Sequence, residues 1–181
     1  MRAIETIKNI WKIEDLRKRI ITTILLVLVY RAGTYVVLPG IDPQFLTQLR
    51  AQTSGGLMQL LDMFSGGAFS HASIFALGIM PYITASIVIQ LLGMALPYFQ
   101  KLQREGESGR RKLNQYTRYL TVFILLIQGP TYLVNLSVQM GGAFPTDILF
   151  TISSTIILTA GSMFIMWLGE RITDRGIGNG I

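Results

Sequence analysis

Few side chains in this sequence could perform acid–base, nucleophilic or metal chemistry. There is no cysteine, so thiolate sites and disulfides are excluded, and the single histidine, His71, is insufficient for a histidine-based metal site. The long apolar stretches contain no aspartate or glutamate that could form a catalytic pair. No G-x-S-x-G, H-E-x-x-H, P-loop or dinucleotide motif occurs either. The sequence therefore predicts neither an enzyme nor a bound metal or cofactor, and a structural or solvated role for His71.

Isoleucines with helical spacing are a more informative pattern. Ile79, Ile83 and Ile87 are four residues apart, so they share one face of a helix, and Gln90 lies near the same stripe. Pro81 removes a backbone hydrogen bond, so we expect a kink there. On its own, such a stripe usually indicates lipid contact or core packing.

A short amphipathic segment precedes this stripe. Leu57, Leu60, Leu61 and Phe64 lie at i, i+3, i+4 and i+7, which predicts one apolar helical face within residues 57–69. Glycine pairs flank the segment, and Ser65-Gly66-Gly67 should end the helix because glycine accepts backbone conformations that other residues resist. The helix could lie flat on a membrane or fold back into a bundle. Flat helices usually carry a strongly charged face, whereas this one offers only Asp62.

The composition is typical of a membrane protein. Half of the residues are apolar, 14% are charged and the mean hydropathy is +0.47, whereas soluble domains contain about 25% charged residues. Helices of about 20 apolar residues span a bilayer. Four stretches are long enough: 20–38, 73–100, 119–145 and 148–168.

The charges predict an orientation for these stretches. The tail 1–19 has six basic and three acidic residues, and the loop 101–118 has six basic and two acidic residues. Lysine and arginine collect on the cytoplasmic side, so both segments should be cytoplasmic with an even number of crossings between them. Residues 20–38 and 73–100 supply two crossings. The segment 57–69 should therefore enter from the outer side and return.

The predicted fold class is an all-α polytopic membrane protein with four transmembrane helices and a short re-entrant helix. The segments, in order, are a cytoplasmic tail 1–19, a first span 20–38, an outer segment 39–72, a second span 73–100, a cytoplasmic loop 101–118, a third span 119–140, a fourth span 148–168 and a cytoplasmic segment 169–181.

Two alternatives concern the first span. Residues 1–38 could be a cleaved signal peptide, but the tail is long and Tyr30-Arg31-Ala32-Gly33 is a poor cleavage site. Arg31 could have a function within the membrane, as intramembrane charges often do. We favour the interpretation that it snorkels to the interface from its position near the helix end.

Several long motifs resemble one family. DMFSGGAFSHASIFALGIMPYITASIVIQLL (62–92), EGESGRRKLNQYTRY (105–119) and MWLGERITDRGIGNGI (166–181), together with LPGID (38–42), are similar in sequence and order to SecY proteins. These form the large subunit of the bacterial protein-translocation channel, with ten spanning helices in two halves around a pore. The chain resembles most of the first half, so we expect it to be a fragment.

The resemblance assigns roles to particular residues. It implies that the short helix, within roughly 55–70, is a plug that seals the closed pore, with Leu57, Leu60, Leu61, Phe64, Ser65, Gly66 and Gly67. It also implies a pore ring that includes Ile79 and Ile83, since a narrow ring of branched apolar side chains can exclude water. Candidate polar residues of a lateral gate towards lipid are Thr84, Gln90 and Gln128, although each could equally bond within the bundle.

The resemblance also implies partners and a location. These are the SecE and SecG subunits, the SecA ATPase, the ribosome, polypeptides that carry signal sequences, and the lipid bilayer of the bacterial plasma membrane, with a cytoplasmic N-terminus. Candidate cytoplasmic contacts are Arg104, Arg110, Arg111 and Lys112, which could instead serve only to orient the protein. The implied function is passage of unfolded polypeptide across the membrane and lateral release of hydrophobic segments into it.

Half of a secondary transporter is an alternative. Transporters usually place polar or charged groups near the membrane midplane, whereas these stretches offer only scattered Gln, Ser and Thr.

Overall fold

The computed structural model describes residues 11–41, 57–139 and 147–180. Within these ranges, the chain forms six helices: α1 (Glu14–Gly33), α2 (Leu57–Phe64), α3 (Met80–Ala95), α4 (Pro97–Arg104), α5 (Glu107–Gln139) and α6 (Ile148–Arg175). The β pairing in the same ranges is limited to one antiparallel bridge between Val37 and Ser73. Helix α1 packs against α6, α6 against α5, and α5 against α3 and α4.

Two of these helices are long and apolar enough to cross a membrane. They are α5, over Glu107–Val138, and α6. Helices α3 and α4 meet the same criterion only as a pair, and they are bent by 102° at their junction. The described part of the chain therefore contains two membrane-length helices, or three if the bent pair counts as one span.

The predicted kink at Pro81 is wrong, because helix α3 begins there. Pro81 lies in the first turn of α3, where a helix does not need the missing N–H. The bend lies further on, at Leu96, whose φ of −110° and ψ of 126° are extended. Leu96 precedes Pro97, and a residue before proline is driven out of the helical region. The apolar stretch 73–100 is consequently not one continuous helix.

The loop predicted at 101–118 is largely helical. Helix α4 continues to Arg104, a turn with Gly106 at φ +70° follows, and α5 begins at Glu107. Helix α5 then continues without interruption into the apolar stretch that the sequence analysis assigned to the third span. Its first turns are rich in Arg, Lys, Gln and Leu, which favour helix, so the change in polarity does not end the helix.

The core is formed around the non-helical segment 65–79. Residues Ala68, Ala72 and Phe75 of this segment are buried, and they pack between α1, α5 and α6 in two clusters. The cluster members on the helices include Tyr132, Leu133, Leu136, Leu158 and Ile165. The residues between α2 and α3 are thus held inside the bundle.

One glycine makes this packing possible. A Cβ at Gly161 of α6 would collide with the backbone carbonyl of Ile74 and touch the ring of Phe75. Small residues allow close approach in membrane bundles. Gly161 therefore allows α6 to lie directly against the buried segment.

Candidate functional site

Three groups of predicted residues meet at one cavity of about 310 Å³, the central cavity. It lies between the end of α2, the start of α3 and the middle of α5. Its lining includes two residues predicted for the plug, two for the pore ring and two for the lateral gate: Phe64, Ser65, Ile79, Ile83, Thr84 and Gln128. The structure therefore brings together residues that are far apart in the sequence.

Ile79 and Ile83 line the central cavity from the start of α3. Ile79 is the N-cap residue of the helix, and the Ile83 amide donates to its carbonyl at 3.1 Å. This places the two side chains one turn apart. Ile83 is 37% exposed, and Ile87 on the next turn is 50% exposed. Apolar side chains therefore border the space that the end of α2 enters.

The short helix ends directly before the glycine pair. Helix α2 ends at Phe64, and turns occupy the rest of the amphipathic segment 57–69. The Gly67 amide donates to the Asp62 carbonyl at 2.9 Å, and both Gly66 and Gly67 have positive φ. This is the usual way in which glycine ends a helix.

Side chains within the short helix are more exposed than the side chain directly after it. Leu60 and Phe64 are 51% and 76% exposed, whereas Ser65 directly after the helix is buried. The side chains of Leu57 and Leu61 lie outside the described residues. Exposed Phe64 thus borders the central cavity, while the C-terminal end of the helix is anchored in the bundle.

Two residues of α1 hold that C-terminal end, in a contact that the sequence alone did not reveal. The Tyr30 hydroxyl donates to the Ser65 carbonyl at 2.8 Å, and Nη1 of Arg31 donates to the Gly66 carbonyl at 2.6 Å. The partners are 35 residues apart in the chain. Local periodicity carries no signal for such a contact, although the unusual charge of Arg31 in an apolar stretch did mark the position.

His71 also contacts the glycine turn. Its Nδ1 lies at hydrogen-bond distance from the Gly67 carbonyl, and its ring packs against Tyr35 with a centroid distance of 5.3 Å. Because a carbonyl only accepts, Nδ1 is the donor in this contact. These contacts support the structural role expected for His71.

The candidate lateral-gate residues do not all lie together. Thr84 donates within its own helix to the Met80 carbonyl at 3.0 Å, and Gln90 Nε2 donates to Ser86 Oγ at 3.3 Å. Thr84 and Gln128 share the central cavity. Gln90 lines a separate polar cavity of about 600 Å³ between α3, α5 and α6.

That polar cavity contains an ion pair that the sequence analysis missed. Nη2 of Arg118 on α5 lies 2.7 Å from both carboxylate oxygens of Glu170 on α6. The signal was present in the predicted topology, because Arg118 precedes the third span and Glu170 follows the fourth. Two opposite charges at the same end of consecutive antiparallel helices are natural partners.

The four candidate cytoplasmic contacts are exposed on α4 and the first turns of α5. They are Arg104, Arg110, Arg111 and Lys112. Arg111 pairs with Glu107 one turn earlier at 2.7 Å, but both side chains are about 80% exposed. Such an exposed pair is weak, so it does not prevent Arg111 from binding a partner. All four cations are therefore accessible.

Comparison with known proteins gives a consistent result. The family model for SecY matches residues 73–181. "Protein translocase subunit SecY" of Pseudomonas aeruginosa is 48% identical over 169 residues, which cover 93% of this chain and 38% of the relative. The subunits of the same name from Escherichia coli K12 and Streptomyces galbus are each 46% identical over 92% of the chain and cover 38% and 41% of those relatives.

The chain thus spans about two fifths of the length of these curated relatives. The residues matched by the family model include α3, α4, α5 and α6. The chain belongs to the SecY family of protein translocase subunits.

Proposed function

We propose that this chain forms part of a protein-conducting channel in the bacterial plasma membrane. The channel passes unfolded polypeptides across the membrane and releases hydrophobic segments laterally into the bilayer. In this proposal, the chain contributes four spans, in α1, the bent pair α3–α4, α5 and α6. Helix α2 is the re-entrant plug.

The central cavity is the observation that carries the proposal. The end of α2 meets Ile79 and Ile83 there, in a space bordered mainly by apolar side chains. An apolar constriction gates by excluding water and offers no specific polar partner to a passing chain. That chemistry suits an unfolded polypeptide of any sequence better than a small solute that must be recognised.

The relative positions of the helix ends support the proposed orientation. Arg19, near the start of α1, donates to the Gly176 carbonyl at 3.4 Å, and the Ile177 amide donates to Thr23 at 3.0 Å. Arg118 and Glu170 join the start of α5 to the end of α6. Residues 11–19 of the basic tail and the basic region 101–118 therefore adjoin the same end of the bundle, which the positive-inside rule assigns to the cytoplasm.

The antiparallel bridge supports a re-entrant path for the plug segment. The Leu38 amide donates to the Ala72 carbonyl at 2.9 Å, and the Ile74 amide donates to the Val36 carbonyl at 3.0 Å. The chain thus leaves α1 and comes back to the same level before α3 begins. A segment tied together at both ends in this way starts and finishes on one side of the membrane.

The complete channel needs partners in this proposal. SecE and SecG complete the membrane complex, and the SecA ATPase or the ribosome supplies the driving force. Signal-sequence-bearing polypeptides are the substrates. Arg104, Arg110, Arg111 and Lys112 provide a positively charged cytoplasmic surface for these partners, and Thr84, Gln90 and Gln128 belong to the lateral gate.

The proposal is tested by the resting ion conductance of the complete channel in planar bilayers. We expect Ile79→Ser combined with Ile83→Ser to raise the conductance, because hydroxyls stabilise water in an apolar constriction. Val88→Ser on the same helix is the matched control, since Val88 and Ile83 are both 37% exposed. Equal conductance in the double variant, the control and the unchanged channel would remove the isoleucines from the gate.

A further inference from the structure

We infer that Tyr30 and Arg31 form a latch that positions the plug, an inference that rests on the proposed role of α2. The latch consists of two adjacent side chains on the last turn of α1 and two adjacent carbonyls, of Ser65 and Gly66, directly after α2. The two hydrogen bonds are 2.8 Å and 2.6 Å long. Through these two bonds, side chains of α1 hold the backbone directly after the short helix.

The latch acts on the part of the plug best suited to control its position. The Ser65 and Gly66 carbonyls directly follow the last residue of α2, and the Ser65 carbonyl also accepts from the Ala68 amide at 3.2 Å. A cation near them is also favoured by the negative end of the helix dipole. Arg31 supplies both a donor and a positive charge at this point, and hydrogen bonds from charged donors are stronger than neutral ones.

Each latch residue is itself held in place. The Tyr30 ring stacks on Phe75 with a centroid distance of 5.8 Å and an interplanar angle of 4°. Nη2 of Arg31 donates to the Tyr35 hydroxyl at 3.1 Å, and the guanidinium lies 5.1 Å from the centroid of the Tyr35 ring. The Tyr30 and Arg31 side chains therefore keep their orientation. Re-forming the two bonds after the plug has moved away does not require these side chains to lose further conformational freedom.

The two bonds also differ in environment. Ser65 is buried, whereas Arg31 and Gly66 are exposed. The Arg31 bond is therefore accessible to water and can open first, while the Tyr30 bond is shielded. Gly66 and Gly67, both at positive φ, join α2 to the buried segment. For α2 to turn there, the bonds from the Gly67 and Ser70 amides to Asp62, at 2.9 Å and 2.8 Å, must open as well.

The position of α2 can be measured directly with spin labels in the complete channel. One label goes on α2, as Met63→Cys, and one on α5, as Val138→Cys. Both sites are well exposed, at 73% and 76%, and this chain has no cysteine of its own. The readout is the distance distribution between the labels, measured by pulsed electron resonance with the channel at rest.

We expect the displaced fraction of α2 to rise roughly fivefold for each of Tyr30→Phe and Arg31→Gln, since water weakens the exposed Arg31 bond. Tyr30→Phe keeps the ring that stacks on Phe75, so folding should be preserved. Arg31→Lys keeps the charge and should give an intermediate shift. Tyr119→Phe and Arg175→Gln, which remove the same groups from exposed sites on other helices, should leave the distribution unchanged.

An unchanged distribution in both Tyr30→Phe and Arg31→Gln would overturn the latch. Deletion of residues 57–69, read by resting conductance, tests the plug separately. If the deletion raises conductance and the distances do not move, the plug stands and the latch fails. If the distances shift and the deletion leaves conductance unchanged, the latch stands and the sealing role of α2 fails.

Discussion

Arg118 and Glu170 connect two helices through a single guanidinium nitrogen that lies 2.7 Å from each carboxylate oxygen. Arg118 is near the start of the apolar part of α5. Glu170 is near the end of the apolar part of α6. The side chains are 46% and 26% exposed, so water screens the attraction only in part. The pair fixes the ends of the two helices side by side and sets the shape of the polar cavity.

The first prediction concerns this ion pair. A double-mutant cycle with Arg118→Gln and Glu170→Gln should give a coupling free energy of about 1 kcal/mol, the upper part of the range for partly exposed pairs. Thermal unfolding of the complex in detergent provides the measurement. A matched cycle on Arg111 and Glu107, whose side chains are about 80% exposed, should give a smaller coupling. Equal couplings would contradict the assigned role of Arg118–Glu170.

The second prediction concerns packing against the buried segment. Gly161→Val should destabilise the bundle by about 1–3 kcal/mol, because the added atoms meet the Ile74 carbonyl and force a backbone shift. Ala160→Val is the control, since Ala160 is the exposed neighbour on the same helix. Thermal unfolding that changes equally in both variants would show that α6 does not pack closely at Gly161.

The third prediction concerns orientation. Single cysteines at Met63 and at Arg111 should react with a membrane-impermeant maleimide from opposite sides of sealed vesicles. Met63→Cys should be labelled from the outer side and Arg111→Cys from the cytoplasmic side, since the two positions adjoin opposite ends of the bundle. Labelling of both from one side would contradict the re-entrant path of α2.

The fourth prediction concerns the exposed cations of the proposed cytoplasmic surface. Arg110→Glu combined with Arg111→Glu should weaken binding of the SecA ATPase or the ribosome several-fold and reduce its dependence on salt, as expected for fewer charge contacts. Binding to reconstituted complex is measured at two ionic strengths. The control is Lys18→Glu combined with Arg175→Glu, which changes the net charge by the same amount at other positions. Equal affinity in all three proteins would leave Arg110 and Arg111 only an orienting role.

The sequence was informative wherever local chemistry decides the structure. Helix α6 begins at Ile148, the first residue of the fourth apolar stretch, and the pair Gly66-Gly67 follows the end of α2. The resemblance to SecY proteins was confirmed by the comparisons. These features depend on composition, glycine conformation and motif order, all of which can be read directly.

The remaining features depend on contacts between distant residues. An uncharged stretch such as 73–79 can be a membrane helix or a buried turn, and only the packing of α1, α5 and α6 around it makes it a turn. The same reason explains why Tyr30 and Arg31 were not linked to Ser65 and Gly66. Local periodicity describes one element at a time and does not identify the partner.

The most direct test is whether a translocating polypeptide touches the central cavity. A photo-crosslinking residue is introduced at Ile83, or at Val88 as control, in the complete channel with a polypeptide stalled halfway by a folded domain. The proposed path predicts crosslinks from position 83 to the stalled polypeptide and far fewer from position 88. Crosslinks from position 83 to lipid alone would contradict the account.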